Sequence, residues 1–188
     1  MESNSFLSHF PHVQPMIFHK NGWQYHMKVR QIKPNAWSCS ITALAMTLDI
    51  PVSEVITEIG HDGSEIIFPN MDEPMRRRGF HSQELVEIAW HHGYAMTPIE
   101  FFPRLRANNG SETVHIWGES FSTVRFFGAI EGSLGILEGN GRKCQHAVHN
   151  FYGNLYDPDP SGSVYKVDDH KKHDFYPTRL WVFTRRSV

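Results

Sequence analysis

Trp37-Ser38-Cys39-Ser40-Ile41-Thr42-Ala43-Leu44-Ala45-Met46-Thr47-Leu48 is the stretch on which the reading of this chain turns. Ile41, Leu44, Ala45 and Leu48 recur at i, i+3, i+4 and i+7, the spacing that lines one face of an α-helix. A helix is therefore predicted from Ser38 to about Asp49, with that face buried. One of the two thiols in the chain stands at the mouth of this helix. A helix N-terminus carries about half a positive charge and several unpaired N–H groups, and it favours the thiolate, the reactive form of cysteine.

Downstream, Pro51 punctuates the chain, and Val52, Val55, Ile56 and Ile59 repeat the helical spacing up to Gly60, a C-terminal stop. Gly63, Pro69 and Pro74 mark residues 61–79 as an irregular connection. A third helix is expected from Ser82, as its cap, through Leu85, Ile88 and Ala89 to Gly93. Asn108-Asn109-Gly110 reads as a surface turn, and Val124, Phe127 and Ile130 as a short helix between Ser122 and Gly132. The pattern then changes to short apolar or aromatic segments, Leu134 to Leu137, Ala147 to Tyr152 and Leu155-Tyr156, with Gly153-Asn154 as a two-residue hairpin turn. Arg179 to Thr184 has the β-branched and aromatic content of a further strand, and Trp23 to Val29 alternates as a strand does. Helices first and strands afterwards predict an α+β domain with N-terminal helices packed on a C-terminal antiparallel sheet. Residues 1–188 are read as a single domain, with 1–30 as a lead-in segment docked on it.

Bulk composition excludes several classes. The chain has 188 residues, 40% hydrophobic and 20% charged, which is ordinary globular usage. A formal net charge of -2 lacks the basic footprint of a nucleic-acid binder, so Arg76-Arg77-Arg78 and Arg185-Arg186 are read as solvated faces. No Sec signal peptide is visible at the N-terminus, and no apolar run approaches the ~20 residues of a membrane span. A cytoplasmic protein without membrane or nucleic-acid partners is the expectation, with Cys39 and Cys144 as unbridged thiols.

A nucleophilic cysteine needs a base to take its proton and a third group to orient that base. His146 opens the strand that ends at Tyr152, and Asp157 follows the return strand in Gly153-Asn154-Leu155-Tyr156-Asp157-Pro158. A hairpin folds the residues on either side of its turn against each other, so His146 and Asp157 can lie side by side near its open end.

These residues carry a resemblance. Gln31-Ile32-Lys33-Pro34-Asn35-Ala36-Trp37-Ser38-Cys39, with the helix that follows, resembles the nucleophile region of papain-like cysteine peptidases, nearest to the C39-like group. The block from Gly135 through His146-Ala147-Val148 to Tyr156-Asp157-Pro158 resembles the same group's histidine strand and its Asp-Pro ending. The match covers about Gln31 to Gly60 and Gly135 to Pro158. It departs from papain itself in lacking the Cys-Gly-Ser-Cys-Trp signature and in setting Gln31 eight positions before Cys39 (39 − 31 = 8). The resemblance implies that Cys39 is the nucleophile, His146 the general base and acid, Asp157 the orienter of the imidazole, and Gln31 an oxyanion donor beside the backbone N–H of Cys39. It implies a thiol-dependent hydrolase acting on a peptide or isopeptide bond in a peptide or protein substrate, without cofactor or metal.

Two other readings are carried alongside. His91-His92, His170-Lys171-Lys172-His173 and Cys144-Gln145-His146 hold metal-compatible side chains, and Cys39, Cys144 and His146 form a conceivable zinc set, although no CxxC or HExxH spacing is present. Without a metal, Cys144 is a bystander near the site entrance and the scattered histidines are surface residues. The third reading is a papain-like fold without catalysis, serving as a binding or structural part of a protein assembly. Its first candidate contact surfaces are Phe101-Phe102-Pro103 and Phe126-Phe127.

Overall fold

A computed structural model of the chain describes residues 17–19, 22–24, 29–100, 119–141 and 144–187. In chain order the elements are strands β1 (Ile17–His19) and β2 (Gly22–Gln24), helices α1 (Cys39–Leu48), α2 (Val52–Ile59) and α3 (Ser82–His91), strand β3 (Tyr94–Glu100) and helix α4 (Glu119–Glu131). Strands β4 (Leu134–Asn140), β5 (Gln145–Phe151), β6 (Asn154–Tyr156) and β7 (Val164–Lys166) follow, then a 3-10 helix (Val167–His173) and β8 (Tyr176–Arg185). The expected α+β architecture is present. Three helices pack on an antiparallel sheet of order β3-β8-β4-β5-β6-β7, and β1 and β2 pair separately.

Helix α1 occupies the centre. Every residue from Ile41 to Thr47 is buried, so the apolar face found by periodicity is only part of a helix enclosed on all sides. Burying Ile41, Leu44 and Met46 is worth about 2 kcal/mol each. Packing, rather than capping, therefore holds α1 in place, since Ser38 makes no side-chain cap bond. The two buried threonines satisfy their hydroxyls on the helix itself, Thr42 to Ser38 O (2.8 Å) and Thr47 to Ala43 O (2.8 Å). Thr47 Oγ1 also lies 2.9 Å from Nδ1 of His149 on β5.

The sheet has a core on each face. Ile136, Ala147, Trp181 and Phe183 meet α1, α2 and α3, while Leu137, Val148, Leu155 and Leu180 meet α4, Tyr165, Val167 and Phe175. At Glu138/Gly139 the β4–β8 register shifts, placing an irregularity in the ladder beside His146, the β5 partner of Gly139.

Several expectations are corrected. The β5–β6 turn is Tyr152-Gly153, not Gly153-Asn154, because Phe151 pairs with Asn154. Both turn residues have positive φ, 49° and 77°, as a two-residue turn between twisted strands requires. The cap of α3 is His81 rather than Ser82, with the Glu84 carboxylate accepting from the His81 N–H (2.7 Å). Strands β3 and β7 lie where none was expected. Helix α4 begins at Glu119, before Ser122. Phe126 is buried and Phe127 partly so in the core, which removes them as a contact patch. The arginine run is not simply solvated: Arg77 pairs with Glu73 and stacks over Trp37, and Arg78 pairs with Glu65 and Glu84. Of the histidines, His149 and His170 are buried rather than superficial. The expected strand of Trp23 to Val29 falls partly outside the described residues, with β2 ending at Gln24. Phe101-Phe102-Pro103 and Asn108-Asn109-Gly110 lie wholly outside them.

Candidate active site

Cys39 is the first residue of α1. The turn before it is folded by Asn35, whose carbonyl accepts from the Ser38 hydroxyl (3.2 Å) and whose side-chain oxygen accepts from the Trp37 N–H (3.2 Å). Trp37 is anchored in turn by its indole N–H on Asp62 O (2.9 Å). The first turn of α1 contains no acidic residue, so the positive end of the helix faces the thiol without a competing carboxylate.

His146 on β5 and Asp157, just past β6, meet across the hairpin, with Nε2 of the imidazole 2.7 Å from Oδ1 of the carboxylate. Both side chains are 14% exposed, so the contact is shielded from water. The ring also packs edge-on against Phe175 at 6.0 Å. With Nε2 committed to Asp157, Nδ1 is the nitrogen left to serve the thiol.

The electrostatics follow from these contacts. Burial works against a Cys39 thiolate and is the largest single influence. It is outweighed by the hydrogen bond and charge of His146, the backbone N–H of Ala147 and the charge of Lys33, which leave the thiol below its ordinary pKa. For His146, burial disfavours the imidazolium, but hydrogen bonds to Asp157 and Cys39 and the charges of both raise its pKa to about 9. A lowered thiol beside a raised imidazole shifts the shared proton from sulfur towards the ring.

Gln31 is not brought to this group. Its side-chain N–H donates to Ile50 O (2.7 Å), and its side-chain oxygen accepts from the Val52 N–H (2.9 Å). It clamps the junction of α1 and α2, while Cys39 opens α1 nine residues before Leu48, about 13 Å away along the helix axis. The oxyanion role expected of Gln31 is incompatible with that placement. Among the described residues no group of three or more His, Cys, Asp or Glu side chains is arranged to hold a metal ion. Cys39 and Cys144 are not joined by a disulfide. Among the described residues no single helix is long and apolar enough to cross a membrane.

Sequence reasoning missed Lys33, Asp159 and the backbone of Ala147. Lys33 Nζ lies 2.8 Å from Asp159 Oδ2, and Asp159 donates its own N–H to Asp157 Oδ1 (2.8 Å). The available signal was the repeated Asp-Pro of Asp157-Pro158-Asp159-Pro160, where a second carboxylate follows the first at turn spacing.

No protein-family model and no curated protein matches the chain. The fold is similar to the crystal structure of a double glycine motif protease from an AMS/PCAT transporter in complex with the leader peptide, with 84% of this chain and 91% of that one covered. The TM-score is 0.46 and the identity 12%, so the functional reading rests on the geometry of Cys39, His146 and Asp157 themselves.

Proposed function

We propose that the chain is a thiol-dependent hydrolase of the cysteine-peptidase kind, acting on a peptide, isopeptide or related amide bond. The observation that carries this reading is the His146–Asp157 contact of 2.7 Å, with the Cys39 thiol hydrogen-bonded to the same imidazole. The Cys39 thiolate attacks the carbonyl carbon, and the backbone N–H of Cys39 receives the oxyanion. One such donor contributes on the order of 3 kcal/mol in the transition state. The His146 imidazolium passes its proton to the departing amine, leaving a thioester on Cys39. Neutral His146 then takes a proton from water, the hydroxide attacks the thioester, and the thiolate–imidazolium pair is restored. Asp157 keeps the ring oriented throughout. Transfer of the acyl group to an amine instead of water uses the same residues.

Gln31 favours a second reading, since a site without that side chain in reach has fewer oxyanion donors. In this reading the fold serves as a binding component with a residually reactive thiol.

The test is labelling with an electrophilic cysteine-peptidase probe, the adduct being located by mass spectrometry in wild type and in His146→Ala. Labelling of Cys39 that is lost in His146→Ala supports the hydrolase. Labelling of Cys144 alone, or equal labelling of Cys39 in both proteins, overturns it.

A further inference from the structure

Asp157 does not hold its position alone. It begins a turn whose hub is Asp159: the Asp159 N–H donates to Asp157 Oδ1 (2.8 Å), its carbonyl accepts from Gly162 N–H (2.8 Å), and its Oδ1 accepts from both the N–H and the hydroxyl of Ser161 (3.1 and 2.8 Å). The turn closes with Asp157 N–H on Ser163 O (3.1 Å). Gly162 packs directly on the carboxylate, and a Cβ there would come within 2.6 Å of Asp157 Cγ.

A second segment, more than 120 positions away in sequence, ties this turn down. Arg30 forks over two of its carbonyls, Nε to Asp157 O (2.5 Å) and Nη2 to Asp159 O. The Lys33 N–H donates to Pro158 O (2.9 Å), and Lys33 Nζ meets Asp159 Oδ2 at 2.8 Å. Every residue of Asp157-Pro158-Asp159 is thus engaged by the chain running into the nucleophile helix. The charged and titratable groups around the turn are Arg30, Lys33, His146, Asp157, Asp159 and the buried phenol of Tyr165.

We propose that Arg30 and Asp159 are positioning residues, which fasten the Asp157 turn to the segment leading into Cys39 and so hold the carboxylate on His146. The proposal rests on the thiol-hydrolase reading. It assigns the irregular segment before α1 a role in tuning the thiol through the imidazole. Lys33 shares the fastening but also acts on the thiol directly by its charge, so it is not the diagnostic residue. Arg30 reaches the turn through carbonyl oxygens and is diagnostic.

The readout is the pH dependence of Cys39 alkylation by iodoacetamide, which needs no substrate. It is measured in Cys144→Ser background for wild type, Arg30→Ala, Arg30→Lys and Asp159→Asn, with circular dichroism melts of each. In Arg30→Ala the thiolate pKa is expected to rise by about one unit, lowering alkylation at mildly acidic pH about tenfold, as loss of a fixed carboxylate partner for the imidazole implies. Arg30→Lys, able to reach one carbonyl, recovers part of the shift. A merely structural role would move the melting temperature and leave the alkylation profile in place. A folded Arg30→Ala whose profile superimposes on that of a low-pKa wild type overturns the proposal and spares the hydrolase reading. An ordinary thiol profile in wild type overturns the hydrolase reading itself. Should Arg30→Ala fail to fold, Asp159→Asn decides by the same criterion.

Discussion

Removing the Asp157 carboxylate is the sharpest perturbation of the site. His146 stands at about 9 against an ordinary 6.5. Burial opposes that rise, and the hydrogen bond to Asp157 is the foremost influence producing it, followed by Cys39. Because burial works against the rise, the attractive influences exceed the net effect, and Asp157→Ala should lower the His146 pKa by more than about 1 unit, or more than about 1.4 kcal/mol of lost imidazolium stabilisation. The thiol shares its proton with that ring, so its own pKa rises in the same variant. Histidine NMR titration of isotopically labelled protein follows the ring directly. Asp157→Asn, which keeps the shape but not the charge, should fall between the two. The reasoning is refuted if the His146 titration in a folded Asp157→Ala lies within about 0.3 units of wild type, a difference too small for a lost charge at hydrogen-bond distance.

Three further outcomes follow from particular contacts. Gly162→Ala drives a methyl group to 2.6 Å from Asp157 Cγ, and should cost about 1 to 3 kcal/mol by chemical denaturation while slowing Cys39 alkylation; unchanged alkylation would show that the carboxylate has room to yield. Gln31→Ala removes a side chain satisfied at both ends by backbone, and should cost about 1 to 3 kcal/mol of stability with the alkylation rate preserved. A collapsed rate at unchanged stability would return Gln31 to the site. For pH, the sign has two parts. The raised His146 contributes stability that is complete below 6.5 and lost as pH rises through about 9, whereas the lowered Cys39 contributes stability that grows over the same interval once pH exceeds its depressed value. In wild type the two act in opposite directions. Cys39→Ala removes the second part and leaves of the first only what Asp157 sustains, so urea midpoints at a series of pH values should show stability falling above pH 6.5 at up to about 1.4 kcal/mol per unit, over a narrower range than His146 alone would span in wild type. Parallel pH profiles for the two proteins would count against the ion pair.

Helix α1 and the His146–Asp157 hairpin were legible because both are local patterns, an apolar repeat of helical period and two strands joined by a tight turn. The placement of Gln31 was not legible, because its partners Ile50 and Val52 are backbone groups at the other end of α1, and a side-chain amide gives no hint of which backbone it satisfies. The hairpin turn slipped by one residue because Asn154 reads as a turn former, whereas Tyr152 takes the left-handed conformation with φ 49°. Strand β3 escaped notice since its partner β8 lies some eighty positions later, as in the Glu100–Arg179 pair, and Pro98 interrupts its pattern. Arg30 was invisible for a similar reason: its role consists of contacts to carbonyl oxygens, which every residue possesses.

Helix α1 and strand β5 touch through polar groups at two heights, Cys39 with His146 and Thr47 with His149. The steps between them are commensurate, eight residues of helix and three of strand, each about 10 to 12 Å. A slip of the helix by a single residue would break both contacts together. The lowered pKa of this thiol is therefore a property of the docked layers, absent from either one alone. Most half-buried cysteines become easier to label as a protein loosens; in mildly acidic solution this one should fall silent as α1 leaves the sheet, so that its labelling rate reports the intact fold rather than its failures.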